Sequence, residues 1–371
     1  MVTFTISTID NMGKSIILPK ENLDELIPLK MENFDHFRTT WTQYLGEIKS
    51  TVRNKSIEQF SFKQVANRSV KNCLKNKKNK NKSLNLVILI HSAIENFQQR
   101  NLLRNTWLQL DQISNRNVNI VHAFILGDRQ SSKLNQKVKS EANLYGDIVQ
   151  ANFIDSYSNL TYKHLSSLRW AIDFTCPTEA IDFIFKVDDD AFVDLQAIIK
   201  YLQLIRHKRH QSMIACSLFP DGTKPKRHGK WSLSYSLYPF ETFPSYCSGV
   251  AYFMTPHLAK KLVQTSTKLP EDFPIIPIDD VFVTGMMRTI IEPMEKPIAI
   301  NERFVYDANL LRTWLDDKRR CPMGYLVGDI GSEPDRIRLT YQLWNATQNA
   351  WKRKRMGKCI EITKQVAKSS L

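Results

Sequence analysis

The sequence predicts an α/β domain with a mostly parallel central sheet, and three observations carry that expectation. Short continuous apolar runs recur along the chain, as strands buried on both faces require. Amphipathic stretches with helical spacing separate them, which is the alternation of a parallel sheet. An acidic triplet, Asp188-Asp189-Asp190, closes one of those apolar runs, and open α/β sheets gather their ligands beyond the carboxyl ends of strands.

The elements follow in order. Residues 1–83 are polar and loosely periodic, with a short helix expected in ENLDELIPLKMENF, and end in the lysine-rich stretch KNCLKNKKNKNK. They read as a stem-like segment. At Leu84 the run NLVILIHS opens the catalytic-type domain, expected over 84–350. A helix is expected from Phe97 to Leu110, a second strand in NVNIVHAFILG stopping at Gly127, and an amphipathic helix in KLNQKVKSEANLYG. DIVQANF reads as the third strand, YKHLSSLRWAIDFTC as a helix and IDFIFKV as the fourth strand. The next helix, LQAIIKYLQLI, puts Leu195, Ile198, Ile199, Leu202 and Ile205 on one stripe, with Asp194 placed to cap it. After about residue 210 Pro, Gly and aromatics accumulate, so mixed strands and loops are expected, with a basic tail over 351–371.

Charge and cysteine usage narrow the classes. The chain has 371 residues and a formal charge of +15, from 52 Lys+Arg against 37 Asp+Glu. That excess favours anionic partners, but much of it is local, in residues 71–82, RHKRH at 206–210 and KRKRMGK near the end. No zinc-finger spacing, RNA-binding signature or basic heptad helix accompanies it, so no nucleic-acid partner is expected. Six cysteines are scattered without a CxxC pair; the even count permits up to three disulfides, with the pairing open. Asn-x-Ser/Thr sequons begin at Asn54, Asn67, Asn81, Asn159 and Asn345. No apolar run reaches the ~18 residues of a spanning helix, and the N-terminus lacks a signal-peptide pattern.

The triplet is the strongest chemical signal. Three adjacent carboxylates between a buried strand and a packed helix repel one another unless a cation offsets them. Carboxylate oxygens are hard ligands suited to Mg²⁺ or Mn²⁺; the structural alternative is a solvent-facing acidic turn. P-loop, GxGxxG, HExxH and GxSxG motifs are absent, so a diphosphate would need metal and basic side chains. Arg100 and Arg104, one helical turn apart in QQRNLLRNTW, are the candidates, with surface arginines beside a core Trp as the alternative. A second acidic pair, Asp279-Asp280, precedes VFVTGMM; one of these carboxylates can serve as a general base across a cleft, or cap a helix near Val281.

In order along the chain, RNLLRNTW, FILG, EANLYGDIVQANFIDSYSNLTYK, FKVDDDAFV, YPFETFPSYCSGVAYFMT and IDDVFVTG resemble the conserved blocks of the β-1,3-galactosyltransferase family, glycosyltransferase family 31. The resemblance spans roughly Leu84 to Arg288. It implies a GT-A-type fold with a nucleotide-sugar half and a mixed acceptor-binding half. It also implies a UDP-sugar donor, manganese (Mn2+), a glycan acceptor on protein or lipid, and inversion to a β-1,3 bond. Galactose is the first donor expected, then N-acetylglucosamine or N-acetylgalactosamine. Asp280 matches the family's base, and Asp190 the direct metal ligand. Asp188 and Asp189 would support ribose and metal, Lys186 would join the donor side, and Trp231, Tyr246, Gly249 and Asp279 the acceptor cleft.

Two departures accompany the resemblance. The family carries a histidine after its Glu-Asp-Val block as a metal ligand; no histidine follows His257 here, and Asp329 lies near the expected position. An inactive, glycan-binding relative is the alternative this motivates. Asp279 replaces the family's Glu with a shorter acid. The resemblance also implies the Golgi lumen and a type II membrane anchor, though no anchor is visible in this sequence.

Overall fold

The structure is a computed structural model that describes residues 6–9, 15–18, 61–64, 83–113, 117–129, 131–235, 237–269, 275–291, 296–316 and 321–357. The helix expected in ENLDELIPLKMENF and the lysine-rich stretch lie outside these residues. At the N-terminal end β1 (Ile6–Ile9) and β2 (Ser15–Leu18) pair antiparallel.

The central sheet is built from β3 (Phe62–Gln64), β4 (Leu84–His91), β5 (Val118–Asp128), β6 (Ile148–Ile154), β7 (Phe183–Asp188), β9 (Ile214–Phe219), β10 (Tyr246–Met254) and β11 (Ile298–Ala299). Its order is β11-β9-β10-β7-β4-β5-β6-β3. A smaller sheet, ordered β12-β13-β8, joins β8 (Ala191–Val193), β12 (Phe304–Val305) and β13 (Val327–Asp329). The helices are α1 (Phe97–Arg104), α2 (Ser132–Tyr145), α3 (Leu160–Trp170), α4 (Leu195–Leu204), α5 (Pro256–Ser266), α6 (Met287–Ile290), α7 (Ala308–Asp316) and α8 (Arg336–Arg355).

The expected α/β architecture is present, and the mixed strand directions fall mainly in the part after residue 210, as expected. The block β7-β4-β5-β6 is parallel, but β10 lies antiparallel between β7 and β9, and β3 antiparallel on β6. The chain leaves β9 for a long excursion and re-enters as β10 at the same end, Tyr246 opposite Phe219, so that β10 runs back along β9; the Cys216–Cys247 disulfide ties the two strands. Cys176 and Cys321 are also disulfide-bonded. Strands β4 to β7 are predominantly apolar because helices cover both faces. Val87 and Leu89 pack into one core with Leu165 and Leu262, while Leu86, Ile88 and Ile90 pack into another with Leu103 and Ile198.

Three local readings change. Helix α1 stops at Arg104 rather than Leu110, because the Asn105 and Thr106 side chains return hydrogen bonds to the Asn101 and Leu102 carbonyls and Trp107 turns into the core. Strand β3 lies inside the segment read as a stem, and α8 runs across the tail boundary at residue 350. The run 206–210 is partly structural: Arg206 and Arg209 both pair with Asp182.

Asp194 caps α4 as expected, accepting from Ala197 N at 3.0 Å. It also accepts from the indole of Trp351 on α8, at 3.0 Å, so one buried carboxylate joins two helices. Asp194→Ala removes a cap and leaves a buried indole N–H unpaired. It is expected to lower unfolding free energy by about 2–4 kcal/mol, read from urea denaturation.

Candidate active site

The sheet topology brings four chain segments to one edge. Strands β4 and β7 are parallel and in register with His91 opposite Asp188, so both end at the same level. Strand β10 runs back beside β7 with Tyr252 opposite Lys186. Asp329 in β13 pairs with Ala191 in β8, which sets it beside Asp190. The segment carrying Asp279 and Asp280 approaches β10 at Gly249.

The three triplet carboxylates face three different environments. Asp188 accepts from Lys186 Nζ at 2.5 Å. Desolvation, opposed by Lys186 and reinforced by Asp190 and Asp279, raises its carboxyl to about 7. Asp189 turns into the scaffold, accepting from Ser92 Oγ at 2.5 Å and Asn96 Nδ2 at 3.0 Å, while Gln99 binds its carbonyl. This corrects its expected role: its oxygens are committed to the loop after β4 and do not face a donor. Asp190 is raised by burial, then by the charges of Asp189 and Asp329. A Cβ at Gly331 would run into its carboxylate, so only glycine admits Asp190 in this place.

No group of three His, Cys, Asp or Glu side chains among the described residues forms a ready metal cage. The residues fit a more open arrangement. Asp190 and Asp329 are mutually repelling carboxylates, which a divalent ion can bridge when substrate phosphates complete its coordination.

The second acidic pair is buried. Asp280 Oδ2 accepts from Gly249 N at 3.0 Å, and Oδ1 from Val281 N at 2.8 Å. It thus caps the helical turn Val281–Met286, as one reading of the sequence expected. Burial, then the charge of Asp279, raises its carboxyl to about 7. Asp279 Oδ2 lies 2.8 Å from His164 Nδ1 on α3. Burial alone would push Asp279 up, but the His164 hydrogen bond and Lys186 outweigh it and hold Asp279 low. Lys186 is fully buried and donates both to Asp188 and to the Gly249 carbonyl. Gly249 therefore receives Lys186 on its C=O and presents its N–H to Asp280. A Cβ there would sit 3.2 Å from Asp280 Oδ2.

The arginines expected on the donor side are elsewhere. Arg100 is 0% exposed and spends its donors on Glu141, Ser92 and the Ala93 and Ile94 carbonyls. Arg104 binds Glu141 and Asp147. Both are corrected to scaffold: a guanidinium saturated by buried carboxylates has no donors left for a phosphate. Arg336, in the first turn of α8, lies within electrostatic reach of Asp190 and binds the Gly331 carbonyl at 3.3 Å. Its Nε has no partner among the described residues.

The remaining cleft residues separate. Tyr246 is nearly buried, stacked on Phe219 and within reach of Asp280. Trp231 is 39% exposed and edge-on to Tyr157, with Lys230 over both rings. Sequence reasoning missed His164, Arg336 and Tyr306. Tyr306 follows β12, is half-exposed and lies within reach of both Asp329 and Asp280. A lone residue in an amphipathic helix or a loop carries no periodic signal, so only tertiary pairing exposes it.

Residues 98–292 match the family model described as Galactosyltransferase. The chain belongs to the galactosyltransferase family. It is a glycosyltransferase. β-1,3-galactosyltransferase 1 of Mus musculus and of Homo sapiens are each 29% identical over 239 residues, 64% of this chain and 68% of theirs. UDP-GalNAc:beta-1,3-N-acetylgalactosaminyltransferase 1 of Sus scrofa is 29% identical over 228 residues, 61% of this chain and 66% of the relative. Among solved structures, S. aureus TarS 1–349 is 10% identical, covering 56% of this chain and 55% of that one, with a TM-score of 0.29.

Because Gly249 holds Asp280 by its N–H and leaves no room for a methyl group, Gly249→Ala displaces the carboxylate by a fraction of an ångström. Sugar transfer is expected to fall by about tenfold or more, while a thermal melt stays near wild type. Unchanged transfer would show that the Gly249 contact does not position Asp280 for reaction.

Proposed function

We propose that this galactosyltransferase-family chain is an inverting β-1,3-hexosyltransferase that moves galactose from UDP-galactose to the 3-hydroxyl of a glycan acceptor. The observation that carries the reading is Asp280. It is a buried carboxylate raised to about 7, oriented by two backbone N–H groups and set across Gly249 and Lys186 from an acidic strand end. An inverting transfer needs one base, and a base works best with a proton affinity near the working pH.

In this mechanism Asp280 takes the proton of the acceptor hydroxyl as its oxygen attacks the anomeric carbon. The bond from that carbon to the UDP oxygen breaks from the opposite side, and UDP leaves. Lys186, held between Asp188 and Gly249, places a fixed positive charge near Asp280 and favours the ionised base. Arg336 supplies the guanidinium available to the diphosphate. A bound divalent ion, Mn2+ by family expectation, would be held by Asp190 and Asp329 and would offset charge on the leaving diphosphate. Asp188, tied to Lys186, orients the strand end.

UDP-N-acetylgalactosamine is the second donor, because the matched N-acetylgalactosaminyltransferase is as similar to this chain as the matched galactosyltransferases. The Cys216–Cys247 disulfide supports an oxidising compartment and hence the proposed Golgi lumen. No helix among the described residues is long and apolar enough to cross a membrane.

A panel of UDP-galactose, UDP-N-acetylgalactosamine and UDP-N-acetylglucosamine with β-linked acceptors, with and without Mn2+, tests the donor and the metal together. Transfer from UDP-galactose that EDTA abolishes and Mn2+ restores is expected; transfer from none of the three contradicts the proposal. Asp280→Asn is expected to lower kcat about 10²–10⁴-fold. Since Asp280 must be ionised to act and its carboxyl lies near 7, kcat/KM should rise as pH increases from 6 to 8. A profile that falls across this range would contradict the base assignment.

A further inference from the structure

We propose that His164 is a positioning residue for this reaction: held between Asp279 and Tyr252 of β10, it ties Asp279 to α3 so that its charge stays fixed beside Asp280. The inference rests on the proposed role of Asp280 as base.

The geometry determines which way the hydrogen bonds run. His164 is fully buried, with Nδ1 2.8 Å from Asp279 Oδ2 and Nε2 in contact with the Tyr252 hydroxyl. Burial keeps the imidazole neutral, with Lys186 adding to the effect against the pull of Asp279. An ionised carboxylate only accepts, so the one ring proton must be on Nδ1 and point at Asp279. Nε2 then accepts from Tyr252 O–H. The aromatic ring of Tyr252 stacks alongside the imidazole. His91 meets the same imidazole edge-on and is itself tied to Ser167, whose hydroxyl donates to the His164 carbonyl. The imidazole therefore has one orientation and one tautomer.

That arrangement has a consequence for Asp280. Asp279 stays charged because His164 and Lys186 hold it so, and its charge is, after burial, the main influence raising Asp280. The other charged or titratable groups facing Asp280 are Lys186 on β7, Tyr246 and Tyr252 on β10, and Tyr306 beyond β12. Besides burial, the charge of Asp279 is what opposes its ionisation, since the tyrosines are neutral at working pH. Without the Nδ1 donor, Asp279 takes up a proton or swings away. Asp280 then loses its repelling neighbour and becomes a weaker base. The shorter reach of Asp279, compared with a glutamate in this place, is matched by an imidazole close enough to meet it.

The test compares H164F, H164N and H164Q in the full chain, using kcat/KM against pH with the donor that the UDP-sugar panel identifies. Asparagine can present an N–H where Nδ1 stood; glutamine presents one where Nε2 stood. H164F is expected to move the ascending limb down by about one pH unit or more and to lower kcat at pH 8 by about tenfold. H164N should keep the limb near its wild-type position, and H164Q should behave like H164F. A folded H164F with an unshifted limb overturns the proposal, since a merely structural histidine lowers activity without moving the profile. If H164F does not fold, the order of H164N and H164Q decides, and the reverse order overturns the proposal. D280N separates the two ideas. Loss of transfer in D280N with an unshifted H164F limb sinks only the positioning role, whereas an active D280N removes the base on which it rests.

Discussion

The buried ammonium of Lys186 is the interaction on which the site depends. It sits on the central strand β7, donates to Asp188 at the strand end and to the Gly249 carbonyl on β10. Burying an unpaired lysine costs several kcal/mol, so the partners must stay in place for the fold to keep it. This ties the acidic end of the parallel block to the strand whose next contact is Asp280. The antiparallel insertion of β10 is what makes that bridge possible. A parallel neighbour would have needed a crossover and could not return from the β9 end with Gly249 at this level.

A second network holds the same edge from beneath. Arg100 binds Glu141 and Ser92, Ser92 binds Asp189, and Asp189 anchors the turn that sets Asp190. Lys163 joins Asp155 to the Ser92 carbonyl. Basic residues that look like phosphate binders in the sequence thus act at one remove, by fixing the turn. A saturated guanidinium is a poor ligand for a mobile donor, but a good brace, because buried polar groups stay where all their hydrogen bonds are met.

Much of this was legible before any coordinates. The apolar runs of β4 to β7 and the stripe of α4 follow from burial on two faces and on one. Asp194 and Asp280 could be read as caps, and Asp329 could be picked out as a carboxylate belonging with Asp190. Asp189, Arg100 and Arg104 could not be assigned correctly, because a charged side chain carries the same letter whether it faces a ligand or a buried partner. His164, Arg336 and Tyr306 were invisible for the complementary reason. Each gains its meaning from a residue more than twenty positions away in the chain, through strand register and helix packing that local pattern does not encode.

The central claim is that one carboxylate, Asp280, acts alone as base on the face opposite the departing UDP. A base in that role goes with a single displacement rather than a covalent glycosyl intermediate. The anomeric configuration of the first product, measured by proton NMR before any equilibration, tests it directly. The α-linked sugar of the donor should appear as a β-linked product, with the large coupling of an axial pair of protons. A product that keeps the α configuration would require a nucleophile on the donor's other face and would contradict the account.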